Sequence, residues 1–151
     1  VAVLRRQLRQ QDEIRNLSEA MDQSQAALMI VDLDRRITYV NAGLCRQTGY
    51  ARDELIGREW RGLLSEEASP HMLEELVTTV RGGQTWRGEW SRRRKNGELY
   101  PVRVLVTPVK SRTGALACFA VALEDATEAK QNEAALREAL QGWDEAGATA
   151  E

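Results

Sequence analysis

The sequence holds one histidine (His71), two cysteines (Cys45 and Cys118), three prolines and a single phenylalanine. One imidazole and two distant thiols are too few for a structural zinc centre, so none is expected. Two isolated cysteines do not form a disulfide framework either. They suit a reducing compartment, and the chain is expected in the cytoplasm. No sign of charge dominates: 21 Lys plus Arg stand against 23 Asp plus Glu, for a net charge of −2. Nucleic acid is therefore not an expected partner. Long apolar runs are also missing. The longest, Ala115 to Leu123, has nine residues, about half of the ~18 that cross a bilayer. Direct membrane contact of this segment is not expected, and no secretory signal is visible. The first residue is Val1 rather than Met. The chain is thus expected to be a piece of a longer protein, and any membrane anchor would lie outside it.

What is present describes one ordinary domain. Its 151 residues are 42% hydrophobic and 29% charged, enough to bury a core. Residues 1–25 contain no Gly or Pro, and Leu4, Leu8, Ile14 and Leu17 recur at helical spacing. Gln11 interrupts the stripe, which is thin and suits a coiled-coil seam. Ala26 to Asp32 and Arg36 to Val40 read as a hairpin turning at Asp34–Arg35. Asn41 is placed to cap a short helix ending at Gly49, and a shorter turn runs from Arg52 to Ile56. Ser69–Pro70 reads as N-cap plus first turn of a helix with Leu73, Leu76, Val77 and Val80 on one face, ended by Gly82–Gly83. The period then becomes two. Trp86, Gly88 and Trp90 alternate with polar residues, Asn96–Gly97 signals a hairpin, and Tyr100, Val102, Val104 and Val106 continue the pattern. Leu116 to Glu124 is apolar on both faces, as expected if one face meets a pocket and the other a helix. Asp125 with Glu128 has capping-box spacing, and Ala129, Leu136, Leu140 and Trp143 make a second thin stripe. The end after Gly142 is expected to fray. Three segments result: a helix over 1–25, a core over 26–125, and a helix with a frayed tail over 126–151.

Several motifs in this order resemble a PAS sensory domain. Ile37-Thr38-Tyr39-Val40-Asn41-Ala42, Thr48-Gly49-Tyr50 and Leu55-Ile56-Gly57-Arg58 are similar to the first half of such a core. Trp86-Arg87-Gly88-Glu89, Arg93-Arg94-Lys95-Asn96-Gly97-Glu98-Leu99-Tyr100 and Thr107-Pro108-Val109 are similar to the second half. Glu124-Asp125-Ala126-Thr127-Glu128 resembles the segment that links many PAS cores to an output helix, with Ala126 where Ile or Val is usual. The resemblance implies an α+β fold: a five-stranded antiparallel sheet with short helices on one face, flanked by amphipathic helices, with a pocket between helices and sheet. It also implies signalling through the flanking helices of a dimer. Leu4, Leu8, Ile14, Leu17, Leu136 and Leu140 would form the seam.

The family takes flavin, haem, small apolar molecules or no ligand, and each has its test in the residues. The cysteine-adduct light sensors carry Gly-Arg-Asn-Cys where this chain reads Gly57-Arg58-Glu59-Trp60, so that photochemistry is excluded. Non-covalent FAD is the first cofactor candidate. Trp60, Trp86 and Trp90 could stack on a flat ring and Arg92 could bond its pyrimidine edge, although flavin-binding members often carry Asn at the position of Arg92. Tyr100, Val102 and Val104 complete the expected inner face. Haem is a weaker candidate and would use His71, the lone imidazole. Asp125, Thr127 and Glu128 are expected to couple core to output helix.

The run Arg92-Arg93-Arg94-Lys95 alternates faces on a hairpin and reads as a solvated surface rather than a nucleic-acid patch. Enzymatic readings find no phosphate loop, no nucleophile elbow and no metalloprotease helix. Glu66–Glu67 and Glu74–Glu75 are adjacent carboxylates that point apart on a helix. The expectation is a non-enzymatic sensory module of a larger bacterial-type protein, whose partners are a second copy, an output domain and a small molecule. The competing expectation is a ligand-free adaptor for dimerisation and docking.

Overall fold

Asn41 shows how local chemistry sets the architecture. Its side chain is fully buried and bonds both the start of the first strand and the helix that follows. Oδ1 accepts from the backbone N–H of Leu28 at 2.8 Å and of Leu44 at 2.9 Å, while Nδ2 donates to the carbonyl of Ala26 at 2.8 Å. One side chain thus caps the helix and fixes where the first strand begins. Asn41→Ala leaves these groups unpaired inside the core and is expected to cost about 2 kcal/mol, read as a lowered urea midpoint.

The computed structural model describes residues 26–63 and 69–149, with residues 2–6, 9, 16, 19, 20 and 22 before them. Strands β1 (Ala27–Val31) and β2 (Ile37–Val40) form the first hairpin. Helix α1 (Ala42–Thr48), the single turn α2 (Arg52–Leu55), a short 3-10 helix (Trp60–Leu63) and α3 (Pro70–Arg81) follow. Then come β3 (Trp86–Arg93), β4 (Leu99–Lys110), β5 (Leu116–Asp125) and α4 (Thr127–Thr149). The five strands lie in the order β2-β1-β5-β4-β3, every neighbour antiparallel. The sheet bears its short helices and α3 over one face, as the α+β reading requires. There Leu76 and Val80 of α3 are buried with Met29, Val104, Val106 and Leu123 of the sheet.

Local signals act as their chemistry dictates. Ser69 accepts from the N–H of Met72 at 3.1 Å ahead of Pro70, and Gly49 closes α1 at φ 81°, a conformation glycine adopts without steric cost. Two expectations need correction, whereas the hairpin signal at Asn96–Gly97 is met by a loop over 94–98 that joins the antiparallel β3 and β4. There Lys95 N–H donates to Thr48 O at 2.8 Å, docking the hairpin on α1. Helix α4 continues through Gly142 and Gly147 instead of fraying at them, because the modest helical penalty of glycine is spread among Ala and Glu neighbours. Finally, the basic run is not a uniformly solvated face: alternation on β3 turns Arg92 inward, and Arg94, just past the strand, is half-buried against Tyr100 and Asp125.

The flanking helices differ from the core. Residues 2–6 are helical and exposed, Leu4 among them, whereas Leu8, Ile14 and Leu17 lie outside the described residues. Asp22 ties this segment to the core, bonding Arg52 at 3.0 Å and the N–H of Ala42 at 3.2 Å. In α4, Lys130 and Glu133 reach back to Glu89 and Arg103 on the outer face of the sheet, at 2.9 and 3.3 Å. Beyond them Leu136, Leu140 and Trp143 are exposed.

Candidate functional site

The inner face of β3 is built by strict alternation: Trp86, Gly88, Trp90 and Arg92 point the same way, opposite Val106, Val104, Val102 and Tyr100 of β4. Gly88 is there for space. A Cβ at that position would lie 2.2 Å from Cη2 of Trp86, so the indole lies flat over the glycine backbone. From there it reaches Trp90, with ring centroids 5.5 Å apart and planes inclined by 27°. The indole N–H groups of both tryptophans are buried with no hydrogen-bond partner among the described residues.

Between this face and the helices lies a cavity of about 400 Å³. Met29, Val31, Val104, Phe119 and Val121 form its floor, Leu76, Val77 and Val80 of α3 its roof, and Trp60 and Trp90 its aromatic walls. Trp60, Trp90, Arg92 and Val104 are thus brought together. Trp86, Tyr100 and Val102 are not among the walls. Trp86 backs Trp90, Val102 is fully buried, and Tyr100 belongs to a second cluster described below. His71 stands exposed on the first turn of α3 and is not a wall residue, so the geometry offers no support for an axial haem ligand. Neither cysteine lines the cavity. Burial pushes the Cys45 thiol above its ordinary pKa, which keeps it protonated and unsuited to nucleophilic work.

The polar walls were only partly legible from sequence. Arg35, Arg61 and Arg81 are exposed and Arg92 is 3% exposed, and all four line the cavity. Burial drives the Arg92 guanidinium below its ordinary pKa, and the nearby Tyr100 and Tyr50 hydroxyls offset that only in part. Among the described residues no acceptor and no carboxylate pairs with it. Arg61 also lies over the Trp60 ring, 5.6 Å from its centroid.

A second cluster joins the core to α4, and its hub is Arg94, which sequence reading had placed on a solvated surface. Nη2 donates to Asp125 Oδ2 at 2.6 Å, Nη1 to the Gln47 carbonyl at 2.6 Å and Nε to Glu98 Oε2 at 3.2 Å. Its guanidinium lies 3.9 Å from the centroid of the Tyr100 ring, whose hydroxyl donates to Gln47 Oε1 at 3.0 Å. The other oxygen of Asp125 accepts from the N–H of Thr127 at 2.9 Å and from its hydroxyl at 2.5 Å. The expected capping box with Glu128 is replaced by this Asx turn, and Glu128 stands exposed. Burial tends to raise the Asp125 pKa, but the bonds from Thr127 and Arg94 outweigh it and hold the carboxyl below its ordinary value. Asp125 and Thr127 are thus bonded to each other where β5 ends and α4 begins.

No helix among the described residues is long and apolar enough to cross a membrane. Comparison with known proteins agrees with the architecture. Residues 25–128 match the family model described as PAS domain. The chain is 33% identical over 96 residues to the nitrogen fixation regulatory protein of Klebsiella pneumoniae; these are 64% of this chain and 19% of that protein. It therefore spans about a fifth of that relative's length. Among solved structures, an RNA-binding light-oxygen-voltage receptor superposes with a TM-score of 0.74 at 23% identity, covering 85% of this chain and 37% of that one. The PAS domain of a Colwellia psychrerythraea protein superposes at 0.70 and 21% identity, covering 76% and 98%. At these identities the superpositions speak for the fold, and the family match speaks for descent. The chain belongs to the PAS domain family, the sensory domains of larger signalling proteins.

Proposed function

We propose that this chain is the ligand-sensing module of a cytoplasmic, bacterial-type signalling protein, and that it reports through α4. The carrying observation is the cavity. About 400 Å³ of apolar space remains between α3 and the sheet after Trp86 and Trp90 have stacked on each other, which suits a small molecule better than a filled core does. The module itself is non-catalytic in this reading, and any kinase or cyclase belongs to a neighbouring domain.

Two features support transmission. Arg92 and Arg94 flank Tyr100 on the same face, and Arg94 holds Asp125 at the root of α4, so a ligand that shifts β3 also shifts the helix base. Leu136 and Leu140 then stand 62% and 57% exposed, free to pack on a second copy. Flavin chemistry is met in part. Trp60 and Trp90 offer stacking faces, but no described wall residue has a side-chain acceptor for the N–H of a flavin pyrimidine edge.

An absorption spectrum and a native mass spectrum of the freshly purified chain, with light scattering alongside, test this proposal. A co-purified small molecule in a dimer is the expected result. An empty domain that binds nothing would leave the adaptor reading in its place. A strict monomer would remove the helical seam.

A further inference from the structure

We infer that the ligand of this cavity is a monocarboxylate with an apolar body, its carboxylate seated on Arg92. The inference rests on the ligand-sensing reading above and narrows it to a chemical class.

The first ground is Arg92 itself. An arginine that as a residue is 3% exposed, and that bonds no acceptor among the described residues, is an arrangement folding alone does not favour, because a buried charge needs a partner. The same hairpin shows what the fold does when no ligand is to come. Two residues further on, Arg94 is less buried yet bonds Asp125, Glu98 and the Gln47 carbonyl. Arg92 faces the cavity instead.

The second ground is the composition of the walls. Apart from apolar side chains, the described walls carry only Arg35, Arg61, Arg81, Arg92 and the two indoles of Trp60 and Trp90. Every polar group in that set donates, and none accepts. A ligand amine, amide or hydroxyl would bring a hydrogen that no wall side chain could receive. An ionised carboxylate brings only acceptors, and its two oxygens match the fork of a guanidinium. The three exposed arginines would draw an anion toward the site. A bare inorganic anion fits poorly, because it would leave the apolar floor and roof against water. An apolar body of aliphatic or aromatic carbon fills that space.

The test is a tryptophan-fluorescence titration of the 151-residue chain with decanoate and with decanol, which share a carbon skeleton and differ in the head group. Decanoate is expected to bind roughly tenfold or more tightly than decanol. Arg92→Met, checked by circular dichroism for its fold, is expected to erase that preference while still binding decanol. Arg61→Met, at the exposed side, is expected to keep most of it. Decanol binding within about twofold of decanoate, or a preference that survives in Arg92→Met, would overturn the carboxylate proposal and leave the cavity reading standing. Binding of neither probe by a chain that carries no small molecule in a native mass spectrum would overturn both. A co-purified molecule lacking an acid group would overturn the carboxylate alone, and a co-purified carboxylic acid would support it.

Discussion

Arg94→Ala is expected to destabilise the chain by about 3 kcal/mol, as the urea midpoint will show. The loss combines a charge-assisted bond to Asp125, a bond to the Gln47 carbonyl and the stacking on Tyr100. Glu98→Ala removes only the exposed partner of the same arginine, whose side chain is 59% exposed, and should change little. Equal effects from the two variants would show that the contact with Asp125 is ornamental. Hydrogen exchange adds a local readout: amides in the first turns of α4 should lose protection in Arg94→Ala, since Asp125 anchors Thr127. Acid should act in the same direction. The native pKa of Asp125 is depressed below its ordinary 3.8, so its contribution is whole above that value and is lost as pH falls through the native one. Asp125→Asn should therefore flatten the acid limb of the stability curve.

Arg92→Met should shift stability the other way. In the ligand-free chain it replaces a buried cation lacking a described partner by an apolar side chain of similar length, and a gain of about 3 kcal/mol is expected. For a domain of this size the melting temperature rises on the order of 10 °C. At one fixed concentration, decanoate should raise the melting temperature of the unsubstituted chain clearly more than that of the variant. A variant less stable than its parent would mean that Arg92 already has a partner when no ligand is bound.

The two arginines also show where reading the sequence succeeds and where it stops. Turn and cap chemistry is local, so Asn41, Gly49 and Ser69–Pro70 could be assigned from a few neighbours, and each acts as its residue type dictates. Alternation of period two placed Trp86, Gly88, Trp90 and Arg92 on one face, and the motif order identified the family. The site was half legible by the same means. Trp60, Trp90, Arg92 and Val104 line the cavity, but Trp86 does not, because its indole folds over Gly88 onto Trp90. No rule of spacing foresees where a side chain that large will lie.

The basic run marks the limit most clearly. Arg92-Arg93-Arg94-Lys95 reads as four equivalent charges, and alternation alone says only that two point inward. The sequence by itself determined the PAS fold, the order of its elements and the caps that start and stop them, because these depend on local chemistry and periodicity. Tertiary structure alone decided that Arg94 would meet Asp125, 31 residues away, and that Arg92 would line an apolar cavity. The environment of a charge is set by whatever the chain brings next to it. That depends on the pairing of β3 with β4 and the packing of α3, not on the charge's neighbours in sequence.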